Sequence, residues 1–214
     1  MKQSNCLGIF LKNPETMPVK TRLAVSIGEK AAREVYLVMV EYLLTEFATS
    51  DCEHETQLYL AGGIPEFCSS RFQCFDQVEG DLGQKMSYYF QSTLCKAGKV
   101  LLIGSDAFYS KSEIEDAFSS LGDSDVVFQP AMDGGYTLLG MKKFVPELFL
   151  DMPWSCENLL DESIQVLDDL KVSYTLLPKK RDLDDLNDLK EMMDLASSPI
   201  KKNWKKILEQ AEKD

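Results

Sequence analysis

The sequence predicts an α/β fold, a single domain in which a mostly parallel sheet is sandwiched by helices in a Rossmann-like arrangement. Three observations predict it. Short apolar runs of strand length alternate with helical patterns almost throughout the 214 residues. No internal repeat or low-complexity linker interrupts the alternation, so residues 1–214 read as one domain, long enough to bury a core. The residues with chemistry to offer cluster just after predicted strands, where open sheets of this kind bind ligands.

The first strand is Leu7-Gly8-Ile9-Phe10-Leu11, within an apolar run from Cys6 that is too short for a secretion signal. From Ile27 to Ala48, Val35, Met39, Tyr42, Leu43 and Phe47 recur at helical spacing and predict one long helix. Gln57 to Ala61 is a strand closed by Gly62-Gly63, and Arg71 to Phe75 a short one. Leu82 to Cys95 is a helix with Gly98 just beyond its end. Lys99 to Gly104 (KVLLIG) is the clearest buried strand. Ser110-Lys111-Ser112-Glu113 is a capping box that opens a helix to Leu121. Asp125 to Gln129 and Tyr136 to Met141 are further strands. Ser155 is expected to cap a helix to Leu170, followed by a strand from Val172 to Leu177 and a helix from Leu183 to Ala196. After Pro199, a basic amphipathic helix carrying Trp204, Ile207 and Leu208 is expected to pack on its own domain.

Composition narrows the function classes. Hydrophobic residues make up 44% and charged residues 27%, the balance of a globular protein. No segment is long and apolar enough for membrane insertion. With 23 basic against 35 acidic residues the net charge is −12, a field that repels nucleic acid and anionic membrane. It also repels phosphates unless local cations neutralise them, which singles out Lys20 with Arg22 and Lys179-Lys180-Arg181. The six cysteines form no C-x-x-C pair and His54 is the only histidine, so a Cys/His zinc site is not expected. Free thiols, mostly small buried hydrophobes, and a reducing cytoplasm are expected instead. His54 lies in a polar stretch, which leaves no Ser-His-Asp or Cys-His arrangement.

The strand ends supply the candidates. Lys12 comes just after the first strand, and Lys20 and Arg22 follow; lysine meets phosphate as a point charge and arginine as a planar fork. Gly80-Asp81-Leu82-Gly83 either turns backbone N–H groups toward an anion or is a loop with a capping aspartate. Asp106 follows the KVLLIG strand, where a carboxylate takes a hard cation or makes a turn hydrogen bond. Asp133-Gly134-Gly135-Tyr136 is either a site in which Asp133 acts as base or metal ligand, or a hairpin turn, or both. Asp182 opens an acidic run that is either part of a cation site or a solvated helix start. Trp154 and Ser155 border a pocket, or the tryptophan is simply packed.

In their order and spacing, VKTRL at 19–23, GDLGQKM at 80–86, LIGSD at 102–106, DGGYTLLG at 133–140, PWS at 153–155 and DLDDLNDL at 182–189 resemble a bacterial family of GT-A-like proteins. That family comprises proteins provisionally assigned as glycosyltransferases or nucleotide-diphospho-sugar transferases. It shares its fold with the molybdenum-cofactor and phospholactate guanylyltransferases. The resemblance runs from about residue 7 to 190. It implies a transferase dependent on Mg²⁺ or Mn²⁺, with a nucleotide-sugar or nucleoside triphosphate as donor and a small-molecule acceptor. It makes Asp106 the metal aspartate, with Asp182 or Asp133 as second ligand. It implies nucleotide contacts from Lys12, Lys20, Arg22, Gly80, Asp81 and Gly83, acceptor contacts from Gly134, Gly135, Tyr136, Trp154 and Ser155, and catalytic roles for Asp133 and Lys20.

The chain departs from the family pattern at several positions. Met17 stands where the family has glycine, Phe108 where it has proline, and Gln129 and Cys156 also replace commoner residues. Methionine disfavours positive φ, and Pro18 removes an amide donor. The first loop is therefore expected to bind phosphate weakly, by metal and side-chain charge rather than by a backbone nest. Met17→Gly is expected to tighten binding if the loop is free to rearrange. The alternative is a degenerate nucleotide-binding module without turnover.

Overall fold

β1 (Asn5–Lys12) turns Leu7, Ile9 and Leu11 to one face and Cys6 and Phe10 to the other, apolar on both sides as a strand covered on both faces must be. It lies near the middle of a seven-stranded sheet with β2 (His54–Ala61), β3 (Gln73–Asp76), β4 (Lys99–Gly104), β5 (Val126–Pro130), β6 (Tyr136–Met141) and β7 (Tyr174–Leu176), in the order β3-β2-β1-β4-β6-β5-β7. β6 pairs antiparallel with both β4 and β5; the other pairings are parallel. The chain runs outward from β1 to β3 and then returns to place β4 on the other side of β1. That reversal opens a crevice at the carboxyl ends of β1 and β4. The structure, a computed structural model, describes residues 4–48, 53–65, 68, 72–154 and 156–213.

One face is covered by α2 (Glu29–Phe47) and α4 (Lys111–Ser120), which close over Leu7, Ile9, Leu58, Leu101 and Ile103 through Tyr36, Val40, Leu43, Ile114 and Phe118. The other is covered by α3 (Leu82–Leu94), a 3₁₀ turn at Pro146–Phe149 and α5 (Leu159–Leu170), whose Tyr89, Phe90, Phe149 and Leu167 meet Val100, Phe128 and Met141. A third layer of α1 (Thr21–Ile27), α6 (Leu186–Leu195) and α7 (Ser198–Ala211) lies over the back of α2. Ala31, Ala32, Val35 and Met39 face it while Tyr36, Val40 and Leu43 face the sheet, so α2 is apolar on two sides. Trp204 is fully buried there, and its indole N–H donates to the Val35 carbonyl at 3.4 Å.

Several boundaries differ from the expected ones. The helix expected from Ile27 to Ala48 is α2, Glu29–Phe47; α1, which was not expected, precedes it, and Gly28, at φ 82°, breaks the ladder between the two. α5 begins at Leu159 with Asn158 at its N-cap; Ser155, expected to cap it, lies outside the described residues. α6 begins at Leu186, because Asp185 and Asp188 form a capping box that leaves Asp182 and Asp184 in the preceding segment. Of the five described cysteines, all free, only Cys6 is buried; Cys95 and Cys156 are exposed, against the expectation that most would be core residues. No helix among the described residues is long and apolar enough to cross a membrane.

Candidate functional site

A cavity of about 610 Å³ occupies the crevice at the carboxyl ends of β1 and β4. Lys12, Lys20, Arg22, Asp106, Asp182, Tyr136 and Trp154, all singled out by the sequence, line it together. They arrive by several elements. Lys12 is the last residue of β1, and its backbone N–H and C=O both bond the Tyr36 hydroxyl at 2.9 Å. Lys20 caps α1 in the left-handed region, φ 50°, a conformation that costs a non-glycine residue about 1 kcal/mol or more and marks an over-determined position. Its side chain is 4% exposed and its ammonium bridges the Asp106 carboxylate and the Leu183 carbonyl. Arg22, two residues on, pairs with Asp184 at 2.6 Å.

The acidic members converge from the other side. One carboxylate oxygen each from Asp133, Asp182 and Asp184 lies within 4.8 Å of the others. Asp182 and Asp184 flank the buried Leu183; in an extended segment, residues two apart point the same way. Burial, and then the charges of Asp133, Asp184 and Asp106, push the Asp182 carboxyl up to about 6. A site that raises a carboxyl in this way concentrates negative charge that a cation would relieve. Three hard oxygens at this spacing suit Mg²⁺ or Mn²⁺. Asp106, expected as the metal aspartate, stands outside that trio as the partner of Lys20.

Ser155, expected at the acceptor, lies outside the described residues, and the remaining described candidates frame the cavity without lining it. Asp81 caps α3 reciprocally with Gln84, and Gly80 precedes it, so this loop follows its capping reading. A Cβ on Gly83 would lie 2.6 Å from the Trp154 indole, so Gly83 is the surface on which that tryptophan rests. Asp133 accepts the Gly135 N–H at 3.1 Å in the turn into β6. Gly134, at φ 90°, lets the Glu157 carbonyl approach where a side chain would stand, and its own carbonyl receives the Leu160 N–H at 3.0 Å. The motif is a hairpin turn between β5 and β6, and it also brings Asp133 into the carboxylate cluster.

The sequence reading missed Asp184, Lys85, Tyr36 and Gln77, which also line the cavity. Lys85 stands within GDLGQKM, one turn into α3, and Asp184 was hidden in an acidic run that looked like a helix start. Two of the four departures, Phe108 and Met17, acquire structural explanations. Phe108 packs edge-on against Tyr42 at 5.0 Å and against Trp204 at 5.4 Å, joining the Asp106 loop to α7. Met17 lies against Gly62, and the Thr16 and Met17 amides both bond the Asn13 carbonyl, with the Glu15 amide on the Asn13 side chain. The Glu15, Thr16 and Met17 amides are thus bonded within the loop and turned away from a phosphate nest.

A bacterial family model matches residues 45–156, half of the chain. The chain belongs to that family, DUF2064, described as uncharacterized proteins conserved in bacteria. No curated protein matches this DUF2064 member in sequence. Among solved structures, one from Desulfovibrio desulfuricans G20, provisionally named a nucleotide-diphospho-sugar transferase, is 24% identical, covers 99% of each chain and superposes with a TM-score of 0.87. The inositol-1-phosphate CTP transferase of T. maritima is 13% identical over 97% of each chain, with a TM-score of 0.55. Rv0371c of Mycobacterium tuberculosis H37Rv, in complex with manganese, is 8% identical over 91% of this chain and 100% of its own, with a TM-score of 0.50. At these identities the likeness is one of fold, and it places the DUF2064 chain in the nucleotide-diphospho-sugar transferase fold.

Proposed function

We propose that this chain is a metal-dependent transferase that uses a nucleotide donor, a nucleoside triphosphate or a nucleotide-sugar, and passes a nucleotidyl or glycosyl group to a small acceptor. The observation that carries it is the convergence, in one cavity at the carboxyl edge of the sheet, of Asp182 and Asp184, with Asp133 clustered beside them at its rim, and the cations Lys20 and Arg22. The names of the structures that share its fold support the same class of reaction.

Asp182 and Asp184, with Asp133 beside them, would hold Mg²⁺ or Mn²⁺, which supplies neutralisation of the donor's diphosphate. Lys20 and Arg22, paired with Asp106 and Asp184, turn to the phosphates when the donor enters and stabilise charge on the leaving oxygen. The acceptor oxygen bonds the α-phosphorus or the anomeric carbon. The bond from that atom to the leaving oxygen breaks, pyrophosphate or nucleoside diphosphate departs, and the acceptor's proton passes to the exposed Asp133.

A nucleotide is expected to stabilise the protein only with divalent metal. At a hundred times its dissociation constant it adds about 2.7 kcal/mol, a melting shift of about 5–10 °C for a chain of this length. Asp182→Asn is expected to abolish most of that shift, and a variant that responds like wild type removes Asp182 from the metal site. The commitment of the Asn13–Met17 amides favours a second reading, a nucleotide-binding module without turnover. Metal-dependent binding without product across nucleotides and nucleotide-sugars decides for it.

A further inference from the structure

The cavity is not uniform. Its charged residues gather around β1, α1 and the 182–184 segment, whereas the wall between α3 and the start of α5 is built from Phe10, Leu82, Met86, Leu139, Trp154 and Leu159. Phe10, Met86, Leu139 and Trp154 belong to the core cluster on the α3–α5 face of the sheet, so the cavity descends from the polar edge along an apolar surface. Met86, Leu139 and Leu159 are buried, which leaves this wall fixed by packing rather than by a mobile loop. Lys85 is the one charged side chain of α3 on it among the described residues.

The geometry points to an acceptor with an apolar body, an alkyl, prenyl or aryl alcohol, whose hydroxyl reaches the acidic edge while its hydrocarbon lies against this wall. This rests on the transferase reading above. A sugar or polyol laid along the same wall would bury hydroxyls without partners, each a penalised desolvation. A phosphorylated polyol would find one cation, Lys85, on the α3 side of this wall. An apolar body is favoured by the surface it removes from water.

The chain reports on its own cavity. Of its two tryptophans, Trp204 is fully buried in the third layer and Trp154 lines the cavity, so ligand-induced changes in indole emission belong to Trp154. The experiment titrates wild type with 1-octanol and 4-phenylbutan-1-ol, and separately with glycerol, glucose and inositol 1-phosphate, following tryptophan fluorescence without metal or nucleotide. Trp154→Phe controls for the signal. Leu82 is the first residue of α3, 45% exposed, where an aspartate suits the positive end of the helix. Leu82→Asp therefore spoils the wall without spoiling the fold. Saturable responses to the two apolar alcohols are expected, weakened about tenfold by Leu82→Asp and kept in Leu82→Met, with no response to the polar compounds. Binding of the polar compounds in their place, no saturable response to either alcohol, or alcohol binding indifferent to Leu82→Asp overturns the inference. Because metal and nucleotide are left out, these results are independent of the metal-dependent shift that tests the transferase reading itself.

Discussion

His54 begins β2 with its ring 5.3 Å from Phe118 and 6.3 Å from Phe47, and its Nε2 is buried without a hydrogen-bond partner among the described residues. Burial lowers its pKa to about 4. The unfolded chain takes up a proton near pH 6.5, whereas the folded one resists it until pH is near 4. Stability is therefore undiminished by this group above 6.5 and falls as pH drops through that window. After allowance for partial exposure the loss is about 1–2 kcal/mol. His54→Leu is expected to flatten the slope of unfolding free energy between pH 6.5 and 4, measured by urea titration; an unchanged slope assigns the acid sensitivity to the carboxylates. The same scale shows why the site was only partly legible. Lys20, Arg22, Asp106 and Asp182 stand beside strand ends and advertise themselves by type. Asp184 does not, because its neighbours Asp185 and Asp188 are spent on a helix cap and only the fold separates their roles from its own. The pairing of Asp106 with Lys20 was equally hidden, being a contact across 86 residues of sequence.

α7 shows what one element contributes. Trp204, Ile200 and Ile207 seat it on α2, and Trp204 touches Phe108, two residues after Asp106, while Leu183, between Asp182 and Asp184, is buried in the same cluster. The helix thus backs both loops that carry the site's acids. Truncating a fully buried tryptophan costs roughly 3–5 kcal/mol. Trp204→Ala is expected to lower stability by that amount in urea and also to lower divalent-cation affinity at temperatures where the variant remains folded. Undiminished metal affinity confines α7 to a stabilising role. Elements that form by themselves were readable: Lys99–Gly104 and Tyr136–Met141 are continuous apolar runs between turn residues, and their bounds match the structure to the residue. Elements that form because something else holds them were not. α1 has seven residues, starts from a left-handed lysine and ends at Gly28, and without α2 and α6 against it nothing in its periodicity distinguishes it from a loop. The third layer was foreseen only as a helix packing on its own domain; that it closes behind the site follows from Phe108, which sequence comparison alone presents as a lost proline.

Over the whole molecule, a net charge of −12 sets a field that the site does not cancel. Around the cavity, Lys12, Lys20, Arg22 and Lys85 face Asp106, Asp133, Asp182 and Asp184, so among the described residues local cations and carboxylates balance. An approaching ion therefore feels mainly the protein as a whole. Its reach is set by screening: the Debye length is about 30 Å at 0.01 M salt and about 8 Å at 0.15 M. At low salt the acidic surface attracts a divalent cation and repels a nucleoside triphosphate from most of a molecular diameter away. Raising the salt should thus weaken binding of Mg²⁺ or Mn²⁺ and strengthen binding of the metal-free nucleotide. The metal–nucleotide complex, with less charge, should change least. Titration calorimetry of each species at the two salt concentrations separates the terms. If metal-free nucleotide binds more weakly as salt rises, Lys20 and Arg22 have already left Asp106 and Asp184 in the free protein, and the cavity is electropositive before any metal arrives. If it binds more tightly, the ion pairs persist in solution, and the cation must bind first to make the cavity hospitable to phosphate.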